Sequence, residues 1–270
     1  MVQPLPPLWG VDPAVWRMGI YLTLLLVLMG AEAAWPRRAR SRSRLQRWPS
    51  NLTIAGINAL LVRLATPVGA LVASSIAESR SWGILHHWIL PSAVSIAFTV
   101  VAFDLLIYWQ HRWFHSIPVL WRLHRMHHTD IDLDVTSGSR FHSLEILASL
   151  ALKSGAVLVL GAPAFGVFTF EVLLSATALF NHSNLRLPSA LDRVVRCFIV
   201  TPDMHRVHHS SRQVETDSNF GFNLPWWDWC FGTYRCEPAL GHDRMEIGLE
   251  TFREEEDSRL PQLLSQPFRK

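Results

Sequence analysis

Hydrophobic positions along this chain gather into long blocks instead of alternating with polar ones, the pattern of helices that face lipid. Residues 16–35 are apolar apart from Arg17 and Glu32, with Trp16 and Trp35 at the ends. They predict a helix of about 20 residues, enough to cross a hydrocarbon layer of about 30 Å. A second block, 52–77, holds Arg63 and Pro67 and is the weakest span, kinked or re-entrant. After a polar break at 79–83, residues 84–109 form a third span. The stretch 144–179 is nearly unbroken apolar sequence interrupted by Gly161, Ala162 and Pro163, which predicts a hairpin of two spans. Five spans are therefore expected. Residues 1–15 carry Pro4, Pro6, Pro7 and Pro13 but no basic residue, so they lack the charged start of a signal peptide and read as an irregular tail. Residues 188–270 are polar and helical in places.

Charge orients these blocks. Six arginines lie between Arg37 and Arg47, directly after the first block. The positive-inside rule assigns that loop to the cytoplasm, and the parity of the spans then brings the segments starting at His111, Asn181 and His205 to the cytoplasmic face. Because the cluster flanks an apolar run, it reads as membrane topology and not as a nucleic-acid surface. The chain of 270 residues is 49% hydrophobic and 17% charged, where soluble domains carry about 25% charged residues, so disorder and an ordinary cytosolic enzyme are poor fits. Lys153 and Lys270 are the only lysines. This arginine-rich usage points to a high-GC bacterium and so to an inner membrane. Three cysteines without a C-x-x-C pair argue against a disulfide framework, thiol redox chemistry or a cysteine zinc site.

The chemistry lies in the histidines, 13 in all. His111 and His115 form an H-x-x-x-H pair at the end of the third span, on one helical face. Pro118 ends that helix. His124, His127 and His128 follow as H-x-x-H-H, and the same pattern returns at His205, His208 and His209 behind Thr201-Pro202-Asp203, a helix start. A lone histidine is usually an ordinary surface or core residue. Three imidazoles on one face, however, repel when protonated and waste apolar surface when neutral unless something binds them. Eight converging imidazoles exceed the needs of one metal and favour two, with iron, zinc, copper and nickel all suited to the donor. A carboxylate-bridged bundle would show E-x-x-H, which is absent, and a zinc peptidase would need H-E-x-x-H, where Arg112 stands in the position of the base.

These boxes, with the runs 104–115, 120–141, 180–188 and 201–235, resemble the sterol desaturase/fatty acid hydroxylase superfamily of membrane di-metal oxygenases. The likeness covers roughly residues 95–240. The phrases Phe180-Asn181-His182-Ser183-Asn184-Leu185, Thr201-Pro202-Asp203-Met204-His205 and Phe231-Gly232-Thr233-Tyr234 are closest to the branch that includes alkylglycerol monooxygenase. The resemblance implies that His182 is a ninth ligand and that the fold is all-α, a multi-pass integral membrane bundle with a cytoplasmic histidine-rich helical cap. It divides the chain into an N-terminal tail and transmembrane helices (1–94), a catalytic domain (95–240) and a C-terminal tail (241–270).

Around the ligands, His142 is a further candidate for the metals or their surroundings. Asp104 lies two turns before His111 on the same face, where an unpaired carboxylate would be costly, and is read as a histidine orienter. Asp203, Asp217 and Asn219 are weaker candidates for that role. Asp130, Asp132 and Asp134 alternate in a loop and read as solvated. His86 and His87 fall about 25 residues before His111, across the bilayer from the site, and His242 reads as a surface residue. Trp226, Trp227 and Trp229 read as an interfacial patch.

The expected activity is O2-dependent hydroxylation or desaturation of a fatty acyl, sterol or ether lipid by two iron ions, with zinc as a replacement metal. No haem, flavin or iron–sulfur motif occurs, so electrons must come from a separate reductase, ferredoxin or cytochrome, or from the reduced pterin that the resemblance allows. Two alternatives stay open: a di-zinc lyase or hydrolase acting on lipids, and a non-catalytic scaffold or metal carrier.

Overall fold

A computed structural model of the chain describes residues 11–65 and 69–269. In chain order its helices are α1 (Pro13–Ala34), α2 (Arg44–Leu64), α3 (Ala70–Arg80), α4 (Ser92–Ser116), α5 (Pro118–His128), α6 (Ser143–Leu160), α7 (Ala164–His182), α8 (Ser189–Val195), α9 (Pro202–His208), α10 (Gln213–Thr216), α11 (Trp226–Cys230), α12 (Gly241–Arg244) and α13 (Leu260–Ser265). No strand forms among the described residues, where two isolated bridges join Pro36 to Leu185 and Ser210 to Ile247. The protein is an all-α membrane bundle. Four of the described helices, α1, α4, α6 and α7, are long and apolar enough to cross a membrane.

Local chemistry sets their ends. Asp12 accepts from the Ala14 amide at 2.7 Å, with Pro13 in the first turn, so α1 starts before Trp16. The tail ahead of residue 11 lies outside the described residues. α4 begins at Ser92 and reaches Ser116, about two turns past its apolar block, until Pro118 stops it. Residues Ile84–His87 form a separate 3-10 turn at the opposite end of the bundle, where the His86 side chain lies against Gly161. Gly161 closes α6 at φ 69°, and a Cβ at Gly83 would sit 2.0 Å from the Gly161 nitrogen, so the chain crosses itself there only because both residues are glycine.

α1, α4 and α7 run in the same direction. Arg17 pairs with Glu171 at 2.5 Å near one end of α1, and Glu32 accepts from the Asn184 amide at 3.1 Å near the other. Thr99 packs on Gly166, and the Phe103 and Phe170 rings meet edge to face at 5.4 Å. Such small-residue contacts matter in lipid, where no hydrophobic drive brings helices together. All three helices therefore deliver their C-terminal ends to one side, where the shorter helices form a cap.

The second apolar block is not a fifth spanning helix. It splits into α2 and α3, and Pro67 lies outside the described residues. α2 starts earlier, at Arg44, and buries the stripe Arg47, Asn51, Ile54 and Asn58 against the cap while Leu45, Leu60 and Leu64 face outward. A polar inner face with an apolar outer one suits a helix packed on a polar cap. α3, at 11 residues, reaches only about 16 Å. It packs along α6, and its Ser74 hydroxyl donates to the Ala162 carbonyl at 2.6 Å.

Asp130, Asp132 and Asp134 are not solvated, and all three are buried. Arg47 donates from Nε and Nη2 to Asp130 at 2.7 Å each and from Nη1 to Asp134 at 2.6 Å. Arg140 stands 3.4 Å from Asp130. Asp132 accepts the Ser41 amide at 3.0 Å and the Arg42 amide at 2.8 Å. The loop after α5 is thus folded around a cation from α2. The C-terminal segment also packs on the cap: Leu263 is buried with Ile54 and Met126.

Candidate metal centre

Three helix ends and one short helix supply the imidazoles. α4 ends with His111 and His115, α5 with His124, His127 and His128, and α7 with His182. α9 carries His205 and His208, with His209 at its C-terminal boundary. Thr201 caps α9, accepting from the Met204 amide at 3.4 Å, with Pro202 in the first turn. All nine side chains converge. His111, His115, His124, His128 and His208 form one group and His127, His182, His205 and His209 a second, with the ligand nitrogens of each group all within 4.8 Å of one another. Both H-x-x-H-H boxes contribute to both groups.

The outer nitrogens orient the inner ones. The Nδ1 of His111 donates to the Phe220 carbonyl at 2.9 Å, that of His182 to Ala178 at 2.7 Å, that of His208 to Ser218 at 2.7 Å and that of His127 to Arg140 at 3.3 Å. The Nδ1 of His124 donates to Glu145 at 2.7 Å and that of His115 to Asp217 at 3.3 Å. A carbonyl can only accept, so the proton sits on Nδ1 and Nε2 is left as a lone pair. The lone pairs of His182 and His127 then face each other at 2.9 Å, with His205 at 3.0 Å from His182. A shared proton would relieve this, but burial pulls His127, His205 and His209 well below the ordinary histidine value, and His208 to about 3. The Nε2 atoms of His111, His115 and His208 are buried without any partner. Neutral imidazoles with unsatisfied inward lone pairs are the donor set of a cationic metal site, and the residues fit one.

Of the five residues read as surroundings, Asp217 alone touches a ring of the cluster. Asp104 does not orient His111. It accepts from Asn223 N at 3.2 Å, Leu224 N at 3.1 Å and Trp227 Nε1 at 2.8 Å, and so holds the loop whose Phe220 carbonyl does orient His111. Asn219, at φ 51°, braces the same loop through the Met204 and Arg235 carbonyls. Asp203 pairs with Arg37 at 3.2 Å and also with Arg206, away from the rings. His142 caps α6, and its Nε2 faces the Leu264 carbonyl at 3.2 Å. His242 is buried, its Nε2 3.0 Å from Glu237. In the tryptophan patch Trp226 and Trp229 are exposed, while Trp227 is tied to Asp104.

Two contributors carried no motif. Glu145, in the first turn of α6, is buried and holds His124. Its signal is a carboxylate inside an otherwise apolar run. Asp228 accepts the Phe220 and Gly221 amides at 2.8 Å each, and a Cβ at Gly221 would come within 2.7 Å of it. Phe141 stacks on His127 at 4.3 Å and Trp121 lies 5.0 Å from His115, so aromatic rings flank both histidine groups.

Residues 96–233, which contain all nine histidines, match the family model for fatty acid hydroxylases. The chain belongs to the fatty acid hydroxylase family. With it comes the wider sterol desaturase/fatty acid hydroxylase superfamily. Relatives of this family member include the ornithine lipid hydroxylase of Rhizobium tropici, 29% identical over 66% of this chain and 54% of that protein. Human alkylglycerol monooxygenase is 27% identical over 50% of this chain and 29% of its own length. Methylsterol monooxygenase 1-3 of Arabidopsis thaliana is 27% identical over 69% of this chain and 66% of its own. The chain therefore spans about half of the first relative and less of the second. No solved structure matches it.

Proposed function

We propose that this fatty acid hydroxylase family member is a membrane-bound non-haem di-iron oxygenase that hydroxylates or desaturates a lipid, a fatty acyl, sterol or ether lipid, with O2 and external electrons. The observation that carries this is the division of nine converging imidazoles into two groups, each compact enough for one metal. The names of the relatives, a lipid hydroxylase and monooxygenases, support the reaction class. The catalytic unit we assign is 95–240, with 1–94 and 241–270 flanking it.

Two iron ions bound there would supply O2 activation and the oxidising power to remove hydrogen from an unactivated C–H bond. The chain does the rest. His111, His115, His124, His128 and His208 hold one ion, and His127, His182, His205 and His209 the other. Glu145, Asp217 and four carbonyls keep the donor nitrogens aimed. Phe141 and Trp121 flank the two groups, and the bundle brings an acyl chain or sterol to them from the bilayer. Hydroxylation puts one oxygen atom of O2 into the lipid and the other into water at the cost of two electrons and two protons, whereas desaturation sends both oxygens to water. The electrons come from a ferredoxin, a cytochrome, another reductase or a reduced pterin.

Purified protein alone should be silent, and activity should appear when iron, O2 and one of those reductants are supplied together with membrane lipids. A hydroxylated product made under 18O2 should carry the label. Equal conversion under strict anaerobiosis with zinc as the only metal would replace this reading by a lyase or hydrolase.

For orientation, the arginines at 37–47 favour a cytoplasmic active site, in the inner membrane if the source is bacterial. Reporter fusions after residues 130 and 220 should give cytoplasmic signal and one after residue 162 the opposite. Signal inverted at all three would reverse the orientation.

A further inference from the structure

The cap has a pocket lined by Arg38, Ala39, Arg40, Asp132, Leu133, Asn184, Arg206 and Ile247. Its charges are unequal. Three arginines face one carboxylate, and that carboxylate is already engaged by the Ser41 and Arg42 amides. Arg206 is engaged by Asp203 and by the Ser183 carbonyl. Arg38 uses Nη2 on the Met245 carbonyl at 2.9 Å, but its Nη1 is buried without a partner, and so is the Nη1 of Arg40. Burial pulls the Arg38 guanidinium below its ordinary value, which Asp132 and Asp243 only partly offset. Unsatisfied buried N–H groups on a cation are costly, and an anion is the ligand that relieves both the charge and the open donors.

Position narrows the ligand. Arg38 comes four residues after the end of α1, behind the exposed Trp35, so the pocket lies where the chain leaves the bilayer at headgroup depth. The chain links it directly to the histidine cluster, since Arg206 adjoins His205 and Asn184 follows His182 by two residues.

We propose that Arg38 and Arg40, with Asn184 and Arg206 beside them, form a binding site for a phosphate-type anion, which in the membrane is the headgroup of an anionic lipid. This extends the oxygenase reading, on which it rests for the meaning of the bound lipid: a headgroup held here would fix how far along an attached chain the metals reach. The binding itself requires neither metal turnover nor O2.

The test is calorimetric titration of the full-length, metal-loaded protein in an uncharged detergent, with short-chain phosphatidic acid and, separately, inorganic phosphate. Arg38→Gln/Arg40→Gln should weaken phosphatidic acid binding at least about tenfold, as two charge-assisted donors are lost, while metal content stays unchanged. Arg122→Gln/Arg193→Gln, a loss of equal charge from exposed positions, should stay within about twofold. Lipid bound at least about tenfold more tightly than inorganic phosphate assigns the site to headgroups, and equal affinity assigns it to free phosphate. The proposal fails if neither probe binds, or if the double variant binds as tightly as the parent. Should the double variant lose metal, Arg40→Gln alone carries the test, with a smaller loss in the same direction.

Discussion

Alanine at His205 should empty the four-imidazole group of metal and abolish turnover. Its Nε2 lies 3.0 Å from that of His182 and 3.3 Å from that of His209, so its loss leaves three donors around a space shaped for four. Removing an outer partner of a metal-bound histidine costs about 10- to 100-fold in affinity, and removing the inner donor should exceed about 100-fold. His115→Ala should be milder for metal content, because four imidazoles remain in its group. Glu145→Gln keeps an acceptor for His124 but loses the charge, and should fall within the 10- to 100-fold range. His86→Ala and His142→Ala should leave both ions in place. Metal analysis of the purified variants reads all of these. Two irons per chain and full turnover in His127→Ala/His208→Ala would end the assignment of these groups as ligands.

The largest effect on stability is expected at Arg47, far from any ligand in sequence. Arg47→Ala leaves Asp130 and Asp134 buried without their main cation, a change that costs about 3–5 kcal/mol and should lower Tm by on the order of 10 °C. Arg47→Lys should recover only part, since a lysine cannot make the paired contact to Asp130. The pH dependence has a definite sign. Burial pushes the Asp130 carboxyl up, but Arg47 and Arg140 outweigh it and hold it well below the usual carboxylate range. Its contribution in the parent is therefore complete above about pH 4 and lost only in stronger acid. Without Arg47 the main opposition to burial left is Arg140, 3.4 Å away, and the carboxyl is expected to rise past its unfolded value, so the variant should recover stability as the pH falls. The gap in Tm between variant and parent should accordingly narrow from pH 7 to pH 5.5. A variant within about 1 kcal/mol of the parent at both pH values would show that the pair contributes little.

The histidine boxes and the hairpin around Gly161 were legible because their information is local. Spacings of three and four residues place rings on one helix face, and a glycine and a proline between two apolar runs mark a reversal. Asp130, Asp132 and Asp134 were misread for the converse reason. Their alternation looks like a solvated loop, and the cation that buries them lies 83 residues before Asp130 within an arginine cluster that composition assigns to topology. Asp104 shows an intermediate case. Helical phase put it on the correct side of α4, but its partners are amides and an indole from 223–227, which no spacing within α4 can reveal. The second apolar block does not form one continuous spanning helix but breaks into α2 and α3, and a hydropathy average registers neither that break nor which face of a helix its polar residues share.

The clasp at Arg47 also separates what is shared from what is self-sufficient. The matched segment 96–233 contains every imidazole of the cluster, yet the loop that follows His128 closes around a guanidinium contributed by residue 47. Glu32, outside the match as well, accepts the Val135 and Asn184 amides on either side of the cluster. An excised gene segment encoding only the matched region would carry the full complement of donor atoms and none of these braces. Grafting the centre into another scaffold, or exchanging N-terminal halves between relatives, therefore means transplanting positions 32 and 47 together with the boxes they support.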